Sequence, residues 1–250
     1  MTEESKDFPI GRPWSEALPE GPCLYVVATP LGNLEDVTIR ALRILSGVDL
    51  VLSEDTRKTA HLLRHYGIQT PTSSFRVHQI QTDIRKALQL LGEGRNLALV
   101  SDAGTPGVSD PGSHLVREIR LQLPNCPVLP IPGPSALTAG LSVSGWKANP
   151  SIFLGFLPRK PGKMRSLLEE SSRHGVLVIY ESVHRIKKSL EFIRQTLPEL
   201  PILIGREITK LHEEWIYWPS HTPLPEFTEK GEFIILVGPE QNSKNLTDTE

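Results

Sequence analysis

Cysteine is nearly missing from this 250-residue chain: it has two, Cys23 and Cys126. Two thiols make no disulfide framework, which points to a fold held by its own core in a reducing, cytoplasmic setting. Both border apolar runs, so they are expected as small core residues rather than nucleophiles. Long apolar stretches are missing as well. None approaches the roughly 20 residues that span a bilayer, and no membrane contact is expected. The first residues, MTEESKDFPIGRPW, lack the apolar stretch of a secretory signal. An excess of one charge is also absent: 27 Lys and Arg face 29 Asp and Glu, a net charge of −2. Residues 1–147 carry 14 basic and 15 acidic side chains, and residues 148–250 carry 13 and 14. That balance excludes a general polyanion binder, so any nucleic-acid contact has to come from local patches. No G-x-x-x-x-G-K-[ST] string occurs, and Gly92-Glu93-Gly94 precedes an apolar run instead of following one. Phosphate-loop and dinucleotide fingerprints are thereby excluded. No Cys/His set has metal-ligand spacing, and no metal is expected.

What is present is an alternation. Short apolar runs at 24–28, 48–53, 97–101, 127–131, 151–156, 176–180, 201–205 and 233–237 read as strands. Between them lie helical patterns at 38–45, 56–66, 83–91, 113–121, 135–141, 163–171 and 185–195; the third puts Ile84, Ala87, Leu88 and Leu91 on one face. Thr56 is placed to cap its helix and Gly67 to end it. Strand–helix alternation predicts an α/β fold with mostly parallel strands. Near the end, EITKLHEEWIYW runs into GEFIILV with no helix between, which predicts antiparallel strands. The organisation expected is an unstructured extension over 1–21, a first α/β domain over 22–146, a second over 147–238 and an unstructured tail over 239–250.

The chemistry is expected in the loops that follow the strands, because parallel sheets bind ligands at their carboxyl edges. ATPLGNLED (28–36) holds Pro30, Asn33 and Asp36, the last two able to cap the helix from Thr38. SDAGTPGVSDPG (101–112) packs three Gly, two Pro, two Asp and two Ser into twelve residues, far more than a tight turn needs. PIPGPSA (130–136) restricts its own approach with three prolines. SEDTRKT (53–59), YESVHR (180–185) and GREITK (205–210) each put an acid beside an arginine, and are read as lying on one sheet edge. Two basic runs, RKPGKMR (159–165) and HRIKK (184–188), are candidates for an RNA backbone track.

These loops, in this order, resemble the tetrapyrrole-methylase-like (class III) methyltransferases. The strings are LYVVATPLGNLEDVTIRAL, SEDTRKT, LVSDAGTPGVSDPG, PIPGPSAL, FLGFLPRK, YESVHRI, GREITKLHEE and KGEF, spread over residues 23–238. SEDTR favours the branch that methylates small-subunit ribosomal RNA over the tetrapyrrole branch. The resemblance implies two α/β sub-domains with S-adenosylmethionine in the cleft between them, a homodimer, and methyl transfer to the 2′-hydroxyl of a cytidine in small-subunit (16S) RNA; the assembled subunit is the expected form of that RNA, with naked RNA the alternative. The chain departs from the family where a His-Glu-His-Asn string is usual and Phe75-Arg76-Val77-His78-Gln79 stands instead.

Candidate roles follow. Pro30 and the loop residues Asp102, Ala103, Gly104, Thr105, Pro106, Val108, Ser109 and Asp110 are expected around the donor, whose carboxylate needs N–H partners. Ser135, Ala136 and Phe156 are carried over by resemblance as the adenine slot. A ribose hydroxyl is a poor acid, so its proton needs help to leave; Glu54, Asp55 and Glu181 are the candidates. Arg57 and Arg185 are candidates for gripping phosphate bidentately, and Arg159, Lys160, Lys163 and Arg165 for tracking the RNA backbone. A tetrapyrrole or other small-molecule methylase, and an RNA-binding relative without catalysis, are the alternatives.

Overall fold

Residues 21–239 are described by a computed structural model. Apart from Gly21 and Pro239, the segments expected to be unstructured lie outside the described residues. The chain divides into two units, one ending at Pro134 and the other starting at Ser135.

The first unit runs β1 (Leu24–Val27), α1 (Ile39–Gly47), β2 (Leu50–Ser53), α2 (Thr56–His65), β3 (Thr72–Ser74), α3 (Ile80–Gly92), β4 (Leu97–Val100), α4 (Gly112–Gln122) and β5 (Val128–Ile131). Its five strands are all parallel, in the order β3-β2-β4-β1-β5. β4 shows why the apolar runs are continuous. Leu97 and Leu99 pack into a core with α3 and α4, while Ala98 and Val100 pack into another with α1 and α2. A strand covered on both faces has no polar side. β3 escapes the hydrophobic pattern because its sequence, Thr-Ser-Ser, is a half-buried edge. β5 is the other edge, where Pro130 removes an N–H that no further strand would use. Thr38, not Asn33 or Asp36, caps α1, its hydroxyl accepting the Ala41 N–H at 3.1 Å; Asn33 caps a single 3-10 turn at 34–36 instead.

The second unit runs α5 (Ala136–Val143), β6 (Ser151–Phe156), α6 (Pro161–Ser171), β7 (Val176–Ser182), α7 (Ile186–Thr196), β8 (Ile202–Arg206), β9 (Glu214–Trp218) and β10 (Glu232–Val237). The order is β6-β7-β10-β8-β9; only β6 and β7 are parallel. The antiparallel C-terminal strands are as expected, but β9 pairs with β8, and β10 inserts between β7 and β8. Phe233, Ile235 and Val237 of β10 join α6 and α7 in one core. Ile234 and Leu236 take the opposite face, where α5 lies.

That contact moves the domain boundary from the expected Lys147 back to Ser135. α5 is tied to the second sheet by Gly140 against β10 and by the Leu137 N–H donating to the Tyr180 hydroxyl at 3.1 Å. Among the described residues, no helix is long and apolar enough to cross a membrane.

A Cβ on Gly140 would sit 2.9 Å from Ile234 Cδ1 and 3.0 Å from Leu236 Cδ1. Gly140→Leu is therefore expected to overpack this seat and cost about 1–3 kcal/mol in urea unfolding. A loss near zero would mean that α5 does not rest on β10.

Candidate functional site

Because the first sheet is parallel, β1 to β5 all end on one rim. α1, which follows β1, packs on one face; α4, which follows the neighbouring β4, packs on the other. Connections that diverge from adjacent strands leave a crevice between them, and ligands of open α/β sheets bind there. The two loops at this crevice are laced together. Thr29 N–H donates to the Gly104 carbonyl and Gly104 N–H to the Thr29 carbonyl, each at 2.9 Å. The buried Thr29 hydroxyl donates to the Ser101 carbonyl at 3.2 Å, and the Ser101 hydroxyl to the Ala103 carbonyl at 3.2 Å. Gly104 has φ of +78°, and a Cβ there would lie 3.2 Å from Leu31 Cδ2. Glycine is what this crossing tolerates. Pro30 is buried beside it. The Thr105 hydroxyl reaches the Pro134 carbonyl at 3.2 Å and so joins the 130–136 loop to the other two. Three loops singled out in the sequence thus meet on one rim.

The two aspartates of the 101–111 loop are braces. Asp110 accepts the Gly107 N–H at 2.8 and 2.9 Å and the Gly112 N–H at 2.8 Å, folding the loop back onto the start of α4. Asp102 accepts the Asp55 N–H at 2.9 Å and pairs with Lys58 at 2.8 Å. The amides of Gly104, Gly107 and Gly112 are therefore engaged within the protein. Pro106 is buried, Thr105 half-buried, and Ala103, Val108 and Ser109 are exposed at the crevice mouth.

The candidate bases separate. Asp55, rather than Thr56, caps α2: its carboxylate takes the Arg57 N–H at 2.9 Å and the Arg57 guanidinium at 2.8 and 3.1 Å. The guanidinium and then the amide of Arg57 hold the Asp55 carboxyl well below the usual carboxylate range. Asp55 is thus a weak base, and Arg57, its side chain still exposed, pairs with this carboxylate. Glu54 behaves oppositely. Partial burial of its carboxyl, then the charges of Asp102 and Asp110, push its pKa up, with Lys58 opposing. The residue as a whole is exposed. Lys58, in the first turn after Asp55, is the cation that pairs with Asp102 in this carboxylate group.

Glu181 is a correction. Its side chain has no exposed surface. Its oxygens accept the Ser182 N–H at 2.8 Å and the Ser189 hydroxyl at 2.6 Å, with Arg185 at 3.4 Å. Arg185 also donates to the Leu157 carbonyl at 3.0 Å. The pair is an internal brace of the second unit: Glu181 is closed to an acceptor hydroxyl, while Arg185 stays partly exposed. Nor do the three acid–arginine clusters share one sheet edge: residues 53–59 follow β2 in the first sheet, and the other two belong to the second.

On the second sheet, the ends of β6, β7 and β8 and the starts of β9 and β10 share a rim. Arg159, Lys160, Lys163 and Arg165 are exposed there, on the loop after β6 and the first turns of α6. Arg165 is partly engaged, 3.9 Å from Glu169 and with its guanidinium 5.4 Å above the Phe192 ring. Phe156 is 55% exposed at the end of β6. Tyr180 stands edge-on to Phe153 (4.8 Å) and Phe156 (6.3 Å), burial pushes its pKa up, and its hydroxyl holds the first turn of α5 just after Ser135 and Ala136. Sequence reasoning missed this positioning tyrosine; its only trace was a phenol amid the aliphatic run of β7. Among the described residues, no three His, Cys, Asp or Glu side chains gather as metal ligands.

The family model for tetrapyrrole (corrin/porphyrin) methylases matches residues 23–222. The chain is 45% identical over 223 residues to the ribosomal RNA small subunit methyltransferase I of Leptospira biflexa, covering 88% of this chain and 92% of that protein. This chain belongs to the tetrapyrrole methylase family, in its ribosomal RNA small subunit methyltransferase I branch. The protein of the same name from Thermotoga maritima is 42% identical over 217 residues, 86% of this chain and 97% of its own length. Among solved structures, the methyltransferase CobJ shares the fold at a TM-score of 0.66 and 20% identity, over 87% of this chain and 94% of that one. Uroporphyrin-III C-methyl transferase from Thermus thermophilus, complexed with S-adenyl homocysteine, does so at 0.58 and 19%, over 86% of this chain and 96% of that one.

The carboxylates around Glu54 can be tested directly. Its NMR titration is expected to fall above the ordinary glutamate midpoint of about 4.3, and Asp102→Asn is expected to lower it. An ordinary midpoint, unmoved by that change, would contradict the coupling. A raised pKa means that this carboxyl stabilises the fold when protonated, and that the contribution is lost as pH rises through its folded-state value.

Proposed function

We propose that this chain uses S-adenosylmethionine to methylate the 2′-hydroxyl of a cytidine ribose in small-subunit ribosomal RNA. The observation that carries the reading is the laced crevice of the first sheet, in a chain whose relatives at 40–45% identity are named for small-subunit ribosomal RNA methylation. Those names favour ribosomal RNA over a tetrapyrrole, and the shared fold with tetrapyrrole methylases speaks only to architecture.

The residues at the crevice suit the donor. Gly104 has no Cβ, so backbone can approach closely; Ala103, Val108 and Ser109 offer exposed main chain; Pro30, Thr105, Pro106 and the braces Asp102 and Asp110 keep that main chain in place. Ser135, Ala136 and Phe156 remain the proposed adenine contacts. When bound, S-adenosylmethionine supplies a sulfonium methyl open to in-line displacement. The chain's own part is then positioning and proton removal. Glu54 is the exposed carboxylate not committed to a cap or a brace, and its raised pKa brings it nearer the basicity that a proton acceptor needs. Glu54 would accept the proton that leaves the ribose hydroxyl. Arg159, Lys160 and Lys163, with a smaller part for Arg165, hold phosphates. We further propose a cytoplasmic homodimer acting on the assembled small subunit.

The test is methyl transfer from labelled donor to purified small subunits, followed by nuclease digestion. Label in 2′-O-methylcytidine is expected; label only in a tetrapyrrole, or none, would overturn the reading. Glu54→Gln is expected to lower turnover by about 100-fold or more with donor affinity kept. Gly104→Val is expected to abolish donor binding by calorimetry in a protein that still unfolds cooperatively. Unchanged donor affinity in that variant would move the donor away from the crevice.

A further inference from the structure

The connection between β8 and β9, residues 207–213, lies on the rim of the second sheet that also carries Arg159, Lys160 and Lys163. Its sequence, within GREITKLHEE, took no part in the roles assigned above. Its backbone is unusual. Glu207 has φ of +50° and Thr209 of +67°, left-handed conformations at residues with full side chains. Such conformations are costly, persist only where the surroundings over-determine them, and cluster at ligand-gripping sites.

Here the surroundings do so. Glu207 N–H donates to the Glu232 carbonyl, and Glu232 N–H to the Glu207 carboxylate, both at 2.9 Å. Lys210 joins the carboxylates of Glu207 (2.9 Å) and Glu232 (2.8 Å). One oxygen of Glu213 takes the Thr209 N–H at 2.7 Å and the other the Trp215 indole N–H at 2.7 Å. Gly231, with φ of +96°, leaves room for the Glu207 side chain, against which a Cβ would collide. Ile208 anchors the loop from below, buried. The outcome is a rigid knuckle whose acids are engaged internally and whose tip is Leu211, 92% exposed, with His212 beside it.

A single exposed leucine needs no explanation. A leucine held out by a strained loop braced through Glu207, Lys210 and Glu213, on a rim with exposed cations, does. In the order β6-β7-β10-β8, the knuckle stands three strand spacings from the β6 loop, about 14 Å. A strand of RNA whose phosphates rest on Arg159, Lys160 and Lys163 would bring its bases within reach of that tip. Unstacked bases offer flat apolar faces, and apolar side chains serve proteins as wedges against them.

We infer that the 207–213 knuckle is a substrate-positioning element whose Leu211 packs against a base of the RNA strand that the β6 loop holds by its phosphates. The inference rests on the reading that the substrate is small-subunit RNA. Leu211 is a positioning residue, since it acts on the placement of the acceptor and not on the methyl.

The experiment uses the full chain and purified small subunits. Leu211→Ala is expected to raise KM for subunits roughly tenfold, the loss expected when most of a leucine's buried surface is forfeited. It should leave kcat, donor affinity and thermal unfolding unchanged, and Leu211→Met should restore KM. The salt dependence of RNA binding separates the two contacts. Replacing Arg159, Lys160 and Lys163 with Ala should reduce the slope by about 2, at roughly 0.7 per single-strand phosphate contact, whereas Leu211→Ala should leave the slope unaltered. An unchanged KM in Leu211→Ala and Leu211→Asp, with active wild type, would overturn the knuckle assignment alone. Light scattering that finds Leu211→Ala dissociated and the wild type dimeric would make the knuckle a contact between copies, and would overturn it too. Wild-type protein that fails to methylate small subunits would remove the reading on which the inference rests.

Discussion

Two backbone groups on Thr29 and two on Gly104 meet at 2.9 Å across the crevice between β1 and β4, and the arrangement of the surrounding loops follows from that pairing. The loops leave adjacent parallel strands toward opposite faces of the sheet. Without a link at their base they would be free to splay. Gly104 makes the link possible by taking a left-handed φ where a Cβ would also crowd Leu31. The Thr29 hydroxyl then fixes the Ser101 carbonyl, Thr105 reaches across to Pro134, and Asp110 folds the remainder back on α4. Each such bond contributes only about 0.5–1.5 kcal/mol. Their joint effect is a main chain that is in place before any ligand arrives, which is the condition under which positioning can supply rate.

The same economy governs the charges. Asp55, Asp102 and Asp110 sit within one short stretch of rim, and each is satisfied by a neighbour: Arg57, Lys58 with the Asp55 amide, and two glycine amides. Glu54 is held among them without a comparable partner, so their charges bear on its proton. In the second unit the acids are likewise engaged, Glu181 with Ser189 and Arg185, Glu207 and Glu232 with Lys210, Glu214 with Arg206. The cations after β6 are exposed on the same rim, with Lys187 and Glu229 paired nearby at 3.8 Å. A chain with almost no net charge can carry a local phosphate-binding surface in this way.

Much of this was legible in the sequence. β1, β4 and β7 are buried on both faces or nearly so, and their aliphatic runs announced them; the twelve-residue 101–112 loop was too rich in Gly, Pro and Asp for a turn. Other features were not legible. β3 is Thr-Ser-Ser and edge-lying, so no hydrophobic period marks it. The helix at 135–141 is legible but its allegiance is not: it falls to the second unit because it seats on β10 through a missing side chain at Gly140, and absence carries no periodicity. Glu181 read as a candidate base because residue type and position at a strand end do not reveal that Ser189, one turn into α7, closes over it. Asp55 and Asp102 looked like ligand groups for a similar reason: an aspartate that braces a loop and one that binds a ligand are written with the same letter.

The central claim is that the laced loops of the first sheet hold the methyl donor. Hydrogen–deuterium exchange, followed by mass spectrometry with and without S-adenosylmethionine, tests it most directly. Donor-dependent slowing of exchange is expected in peptides spanning 28–38, 101–112 and 130–136, with 207–213 unaffected. Protection confined to other segments, with these three loops exchanging as fast as before, would contradict it.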